Sequence, residues 1–91
     1  MSISIRVPAS LKKFLGDNDH VICEGNTIEE CINDLDAMHS GFKEMVLDSE
    51  GQISNSLLIF IDGENILNLD GLTTPVNDGN EISIIPYAAG G

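Results

Sequence analysis

The chain has 91 residues, of which 42% are hydrophobic, 4% are aromatic and none is Trp, and its 15 acidic against 4 basic residues give a net charge of −11. That length supports one domain and leaves no residues for a second core. That charge excludes nucleic acid and anionic membrane surfaces as partners, since both are bound chiefly through Lys and Arg, and it favours a protein partner with a basic or mixed groove.

The opening "MSISIRVP" lacks the basic start and apolar run of a signal peptide, and no apolar stretch in the chain reaches bilayer-spanning length. With a cysteine content too low for a disulfide scaffold, a cytoplasmic location is expected. Within that opening, Ile3, Ile5 and Val7 alternate with Ser2, Ser4 and Arg6, the pattern of a half-buried strand that Pro8 ends. "ASLKKFLGDND" reads as a turn or a single helical turn closed by Gly16. "HVICEG" is a second strand with Val21 and Cys23 on one face, close enough to the first to form a hairpin.

"GNTIEECINDLDAMHSG" predicts the main helix. Thr27 and Glu30 fit a capping box, with Asn26 as the alternative cap. Ile28, Cys31, Ile32, Leu35 and Met38 make one apolar stripe, Glu29, Asn33 and Asp36 lie on the wet side, and Gly41 follows the end. "FKEMVLDSEGQISNS" is mixed, with a turn at Ser49-Glu50-Gly51. "LLIFIDGENI" is apolar on both faces and runs into a tight-turn signal at Asp62-Gly63. Such a run is either central in a sheet or shows one face to a partner. A short strand is expected at "NILNL", loop and turn across "DGLTTPVNDGN", and a last strand at "EISIIP".

The predicted fold is therefore α+β: a roll in which one main helix crosses one face of a mixed sheet of four to five strands, with the first and last strands side by side in the middle. In the last strand, Ile82 and Ile84 pointing inward would turn Ser83 and Ile85 outward, and Leu58 and Phe60, or the opposite parity of that run, would share that outer face. An exposed apolar patch on so acidic a domain is a docking surface in the making.

The element order, "FIDGENI", "LDGLTTPVNDGNEISIIP" and the terminal "AAGG" together resemble the ThiS/MoaD group of sulfur-carrier proteins, β-grasp domains related in fold to ubiquitin. Within that group the "VP" after the first strand, the "DGE" turn and the "TP" before "DG" are most similar to CysO-type carriers. The resemblance implies a β-grasp domain over residues 1–87 and a flexible Ala-Ala-Gly-Gly tail over 88–91. It also implies that the Gly91 carboxylate is adenylated by an E1-like, ATP-using enzyme and then converted to a thiocarboxylate. The carrier itself then binds no cofactor; ATP belongs to the partner. The CysO-like features favour cysteine or a related thiol amino acid as product, made by a pyridoxal-phosphate enzyme of cysteine-synthase type and released by a metalloprotease cutting after Gly91. Molybdopterin and thiamin remain alternative acceptor pathways.

The tail's composition suits that chemistry. Gly90 and Gly91 have no Cβ, enter narrow channels and leave the terminal carbonyl carbon unhindered, while Ala88 and Ala89 keep the approach slim and Tyr87 begins it. Pro86 cannot donate to the ladder and is the expected point of release. Ordering the tail costs roughly 1–2 kcal/mol of backbone entropy per residue, which docking through Ile85, Phe60 and Leu58 must offset.

The remaining chemistry-bearing residues read more plainly. Cys23 and Cys31 each lie on the core face of their element, as small buried hydrophobes do, and two thiolates are too few for the iron–sulfur cluster of β-grasp ferredoxins. His20 and Cys23 point to opposite faces of a strand. His39 sits at a helix C-terminus, where an imidazolium is favoured by the dipole. The acids from Asp48 to Glu81 flank glycine turns without calcium-loop spacing. No catalytic triad or phosphate-binding loop is present, so the chain is expected to be a co-substrate and not an enzyme. Two other readings share the sequence: a ubiquitin-like modifier joined through Gly91 to lysines, and a non-covalent β-grasp binding module.

Overall fold

The computed structural model describes residues 2–87. Its strands are β1 (Ile3–Arg6), β2 (His20–Cys23), β3 (Leu57–Ile61), β4 (Glu64–Asn65) and β5 (Glu81–Pro86), in the sheet order β2-β1-β5-β3-β4. β1 and β5 run parallel at the centre and every other neighbouring pair is antiparallel. The main helix is α2 (Ile28–Met38), accompanied by the short helices α1 (Ala9–Lys12) and α3 (Phe42–Val46). This is the expected mixed roll, including the hairpin of the first two strands and the central pairing of the first and last.

Alternation decides which face is buried. Ile3 and Ile5 of β1, Leu57, Ile59 and Ile61 of β3, and Ile82 and Ile84 of β5 all turn inward onto Ile28, Cys31, Ile32 and Leu35 of α2, and each is buried. These aliphatic side chains, each stabilising by roughly 1.5–3 kcal/mol when fully buried, form one core. Met38 does not join them: it is 56% exposed, because it lies at the edge of the helical stripe in the final turn, and the core position at that end is filled by the fully buried Phe42 of α3.

The helix start is built largely as the sequence predicts. Thr27 is the cap, its Oγ1 accepting from the Glu30 N–H at 3.1 Å. Glu30 reaches back to the Asn26 N–H at 2.8 Å, one residue earlier than in the usual capping box. Asp36, placed on the wet side by periodicity, instead accepts from the Lys43 N–H at 3.0 Å and so holds the start of α3.

One segment differs from expectation. β3 itself lies between β5 and the two-residue β4. The strand expected at "NILNL" is confined to Glu64–Asn65 and gives way to a 3₁₀ turn at Ile66–Asn68. Asn65 causes the change: its side-chain oxygen accepts from the Leu67 N–H at 2.9 Å, a local bond that competes with the ladder.

Gly25, in the connection from β2 to α2, lies so close to the helix that an added Cβ would sit 2.9 Å from the Cys31 backbone nitrogen. Gly25→Ala should therefore force the connection away from α2 and cost about 1–3 kcal/mol, read as a lowered urea midpoint at unchanged slope.

Candidate functional site: the outer sheet face and the chain exit

Two devices fix how β5 lies against its neighbours. Asp62 and Gly63 both have positive φ, 47° and 88°, the backbone of a two-residue hairpin turn whose Asp-Gly sequence is among the few that enter it cheaply. The Asp62 carboxylate then reaches across to β5, accepting from the Glu81 N–H at 3.0 Å and from the Asn80 side-chain nitrogen at 2.6 Å. The same Asn80 accepts from the Asn77 N–H at 2.6 Å. The "DGE" turn and the "NDGNE" segment are thus one hydrogen-bonded unit that sets the start of the last strand. The "TTP" segment anchors the other side, where Ile28 N–H donates to the Thr74 carbonyl at 3.1 Å and Val76 N–H to the Asn26 carbonyl at 2.9 Å.

From that start, alternation assigns Ile84 to the core, 3% exposed, and Ile85 to the outer face, 42% exposed. Ile85 lies opposite Leu58 of β3, and Ser83 lies opposite Phe60. Leu58 and Phe60 are half-buried on the same outer face. The structure thus sets Ile85 on the outer face, as parity predicts, and settles the parity of the β3 run by placing Leu58 and Phe60 beside it.

The other half of the outer face carries a polar cluster beside the exposed Ile22. Glu81 is 3.5 Å from His20 and 3.9 Å from Arg6, and Ser4 Oγ is hydrogen-bonded to the His20 imidazole. All four side chains are solvent-accessible, so these ion pairs contribute little stability. They divide the face, with charge at the start of β5 and apolar surface at its end.

Tyr87 was read as the beginning of the tail, and Pro86 as the point of release. Pairing in fact continues through Pro86, opposite Leu57, and the Tyr87 N–H donates to the Ser56 carbonyl at 2.7 Å. Proline lacks only its own donor, and that edge of position 86 requires none, so the ladder runs one residue further. The Tyr87 side chain is 58% exposed beside the patch. Ala88, Ala89, Gly90 and Gly91 lie outside the described residues.

A groove of about 570 Å³ at the unpaired edge of β3, lined by Ile53, Leu57, Leu67, Leu72 and Tyr87 with Glu29 and Asp70 at its charged positions, escaped the sequence. It depends on how the loops flanking β3 pack, which carries no periodicity. The turn acids mostly serve the backbone: Asp48 accepts from the Glu50 and Gln52 N–H groups, and Asp78 from that of Ser2. Among the described residues no group of three or more His, Cys, Asp or Glu side chains is arranged to hold a metal ion.

Comparison with known proteins agrees with this architecture. The model of the ThiS family matches residues 5–91. The sulfur carrier protein CysO of Mycobacterium tuberculosis H37Rv is 31% identical over 93 aligned positions that cover all of both chains. CysO in the crystal structure of the Amycolatopsis orientalis BexX/CysO complex superposes with a TM-score of 0.90 at 27% identity, covering 98% of this chain and 99% of that one. A small archaeal modifier protein from Methanosarcina acetivorans superposes with a TM-score of 0.81 at 25% identity, covering 99% and 96%. The domain is a β-grasp fold, and the chain belongs to the ThiS family.

Proposed function

We propose that this protein is a sulfur carrier of the CysO type, a co-substrate whose Gly91 carboxylate is activated and loaded with sulfur by other enzymes. The observation that carries the reading is positional. The family match runs through Gly91, and an apolar region of the outer sheet face, Leu58, Phe60 and Ile85, lies at the end of β5 from which the chain leaves for that residue.

The chemistry requires such an arrangement. A carboxylate is a poor electrophile until one oxygen becomes part of a good leaving group. In the proposed sequence a Gly91 oxygen attacks the α-phosphorus of ATP on an E1-like enzyme, and pyrophosphate leaves. A sulfur nucleophile then attacks the acyl carbon, AMP leaves, and the product is the thiocarboxylate. Both steps occur in the partner's site, so this chain contributes reach and docking. Its acidic surface accelerates encounter with a basic partner, the patch supplies apolar contact area, and the glycines pass a narrow channel.

The sulfur acceptor is proposed from the CysO relationship: a pyridoxal-phosphate enzyme of cysteine-synthase type, followed by a metalloprotease that cuts after Gly91 and regenerates the carrier. The location is proposed as cytoplasmic. No helix among the described residues is long and apolar enough to cross a membrane. A second reading, conjugation of Gly91 to lysines, draws on the structural likeness to a small archaeal modifier protein. Mass spectra of cell lysates separate the two: an oxygen-to-sulfur mass gain on the free protein supports the carrier, and Gly-Gly remnants on many lysines support the modifier.

Deleting Gly91 should abolish ATP–pyrophosphate exchange with the adenylating enzyme and leave the thermal midpoint unchanged; exchange at the wild-type rate would refute the proposal. For the patch, Ile85→Ser should lower kcat/KM for activation at least about tenfold, equivalent to roughly 1.4 kcal/mol, while changing folding stability by less than about 1 kcal/mol. Ile84→Ser, one residue away on the core face, should cost about 3–5 kcal/mol of stability, measured by urea denaturation.

A further inference from the structure

The edge of β3 that faces away from β5 lacks a partner strand over most of its length. Tyr87 N–H donates to the Ser56 carbonyl, and hydrogen-bonding direction alternates along an antiparallel pair. Leu58 and Phe60 therefore turn their N–H and C=O groups to β5, while Leu57 and Ile59 turn theirs to the opposite edge. β4 covers that edge only beside Phe60 and Ile61, because the Asn65 side chain draws the chain into its 3₁₀ turn. Leu57 and Ile59 bury their side chains in the core and still line the groove of about 570 Å³, as backbone at an open edge does. The Leu57 N–H is taken by the Ser54 carbonyl at 3.1 Å, which leaves the Leu57 carbonyl and the Ile59 N–H for an added strand. The groove walls are held by the protein's own bonds: Ser54 N–H to the Val46 carbonyl at 2.8 Å on one side, and Asp70 N–H to Thr74 Oγ1 at 3.1 Å on the other. Ile53 and Leu72, partly buried against the core, supply apolar surface. Among the described residues that line the groove none is Lys, Arg or His, and the charged ones are Glu29 and Asp70. Asp36, Asp48, Asp62 and Asp78 accept from the protein's own backbone; among the described residues the Glu29 and Asp70 carboxylates do not.

We infer that this groove binds an extended, basic segment of a partner protein, which adds to β3 as a further strand in the place β4 would fill had it continued past Asn65. Backbone bonds to Leu57 and Ile59 supply affinity, apolar side chains of the segment meet Ile53 and Leu72, and its Lys or Arg side chains meet Glu29 and Asp70. Charge selects this occupant over the alternatives. A second copy of the chain would bring another net charge of −11 and the same two acids to the contact. The chain's own end would bring its carboxylate toward Glu29 and Asp70. Leu58 and Tyr87 border the groove, so a segment seated there lies next to the outer apolar patch. The inference is independent of the chemistry at Gly91.

The test titrates the isotope-labelled full chain with a terminally blocked heptapeptide of alternating lysine and valine in low-salt buffer, read by amide chemical shifts. Binding should saturate and move the Ile59 amide together with those of Ile53 and Leu72. Of the two peptides N-methylated at alternate residues, one should bind at least about tenfold more weakly than the parent, since it cannot bond to the β3 edge. Glu29→Gln combined with Asp70→Asn should weaken binding at least about threefold and leave the thermal midpoint unchanged, because both side chains are exposed. No binding at millimolar peptide, equal binding of a valine–glutamate peptide, an unmoved Ile59 amide, or indifference to both N-methylated forms would each overturn the inference. Shifts of the same amides on deleting residues 88–91 without peptide would make the chain's own end the occupant. A dimer of the free protein that protects the Ile59 amide would make it a second copy, and either result also overturns the inference. None of these measurements involves activation of Gly91, so the two readings stand or fall separately.

Discussion

The register of β5 is the constraint on which the rest of this molecule depends. β5 lies between β1 and β3, and a slip of one residue would exchange its two faces, sending Ile85 into the core and Ile84 into solvent. Asp62 prevents this slip. Its carboxylate takes the Glu81 N–H and the Asn80 side chain while its own backbone makes the turn that ends β3. One side chain therefore aligns the strand that carries the chain to its C-terminus with the strand that supplies most of the outer apolar surface. The core then enforces the same register through Ile82 and Ile84.

Alternation along β5 also separates core from outer surface at single-residue resolution. Ile82 and Ile84 pack on α2, whereas Ser83 and Ile85 meet Phe60 and Leu58 outside. The outer surface can be tuned for a partner without disturbing the core. The polar cluster of Ser4, Arg6, His20 and Glu81 at the opposite end of the face gives that surface a direction, from charge at the start of β5 to apolar side chains at its end.

Where a pattern is periodic and local, the sequence was legible. The alternation of β1 and β5, the stripe from Ile28 to Leu35, the Thr27 cap and the Asp62-Gly63 turn all have physical causes within a few residues, and each stands as read. Met38 and "NILNL" were misread because neighbours in space decided them: Phe42 took the core position, and the Asn65 side chain took the hydrogen bond that a strand would have used. On the outer face, Ile85 followed from parity, whereas Leu58 and Phe60 were fixed only by the pairing of β3 with β5, because their run is apolar on both faces. β5 ends at Pro86, where the sequence placed its end, and the one backbone bond beyond it, from Tyr87 N–H to the Ser56 carbonyl, is a tertiary detail. The groove beside β3 depends on how separate elements pack, which no periodicity encodes.

The central, parallel placement of β5 beside β1 has a consequence for synthesis. Neither β1 nor β3 can complete its ladder until the last strand arrives, so a nascent chain emerging from the ribosome holds an unfinished sheet until translation has passed residue 86. Folding of this domain therefore waits on its last strand. A ribosome-bound intermediate lacking β5 exposes the apolar faces of β1 and β3 together, and is the stage at which the protein is most exposed to aggregation and to chaperone capture.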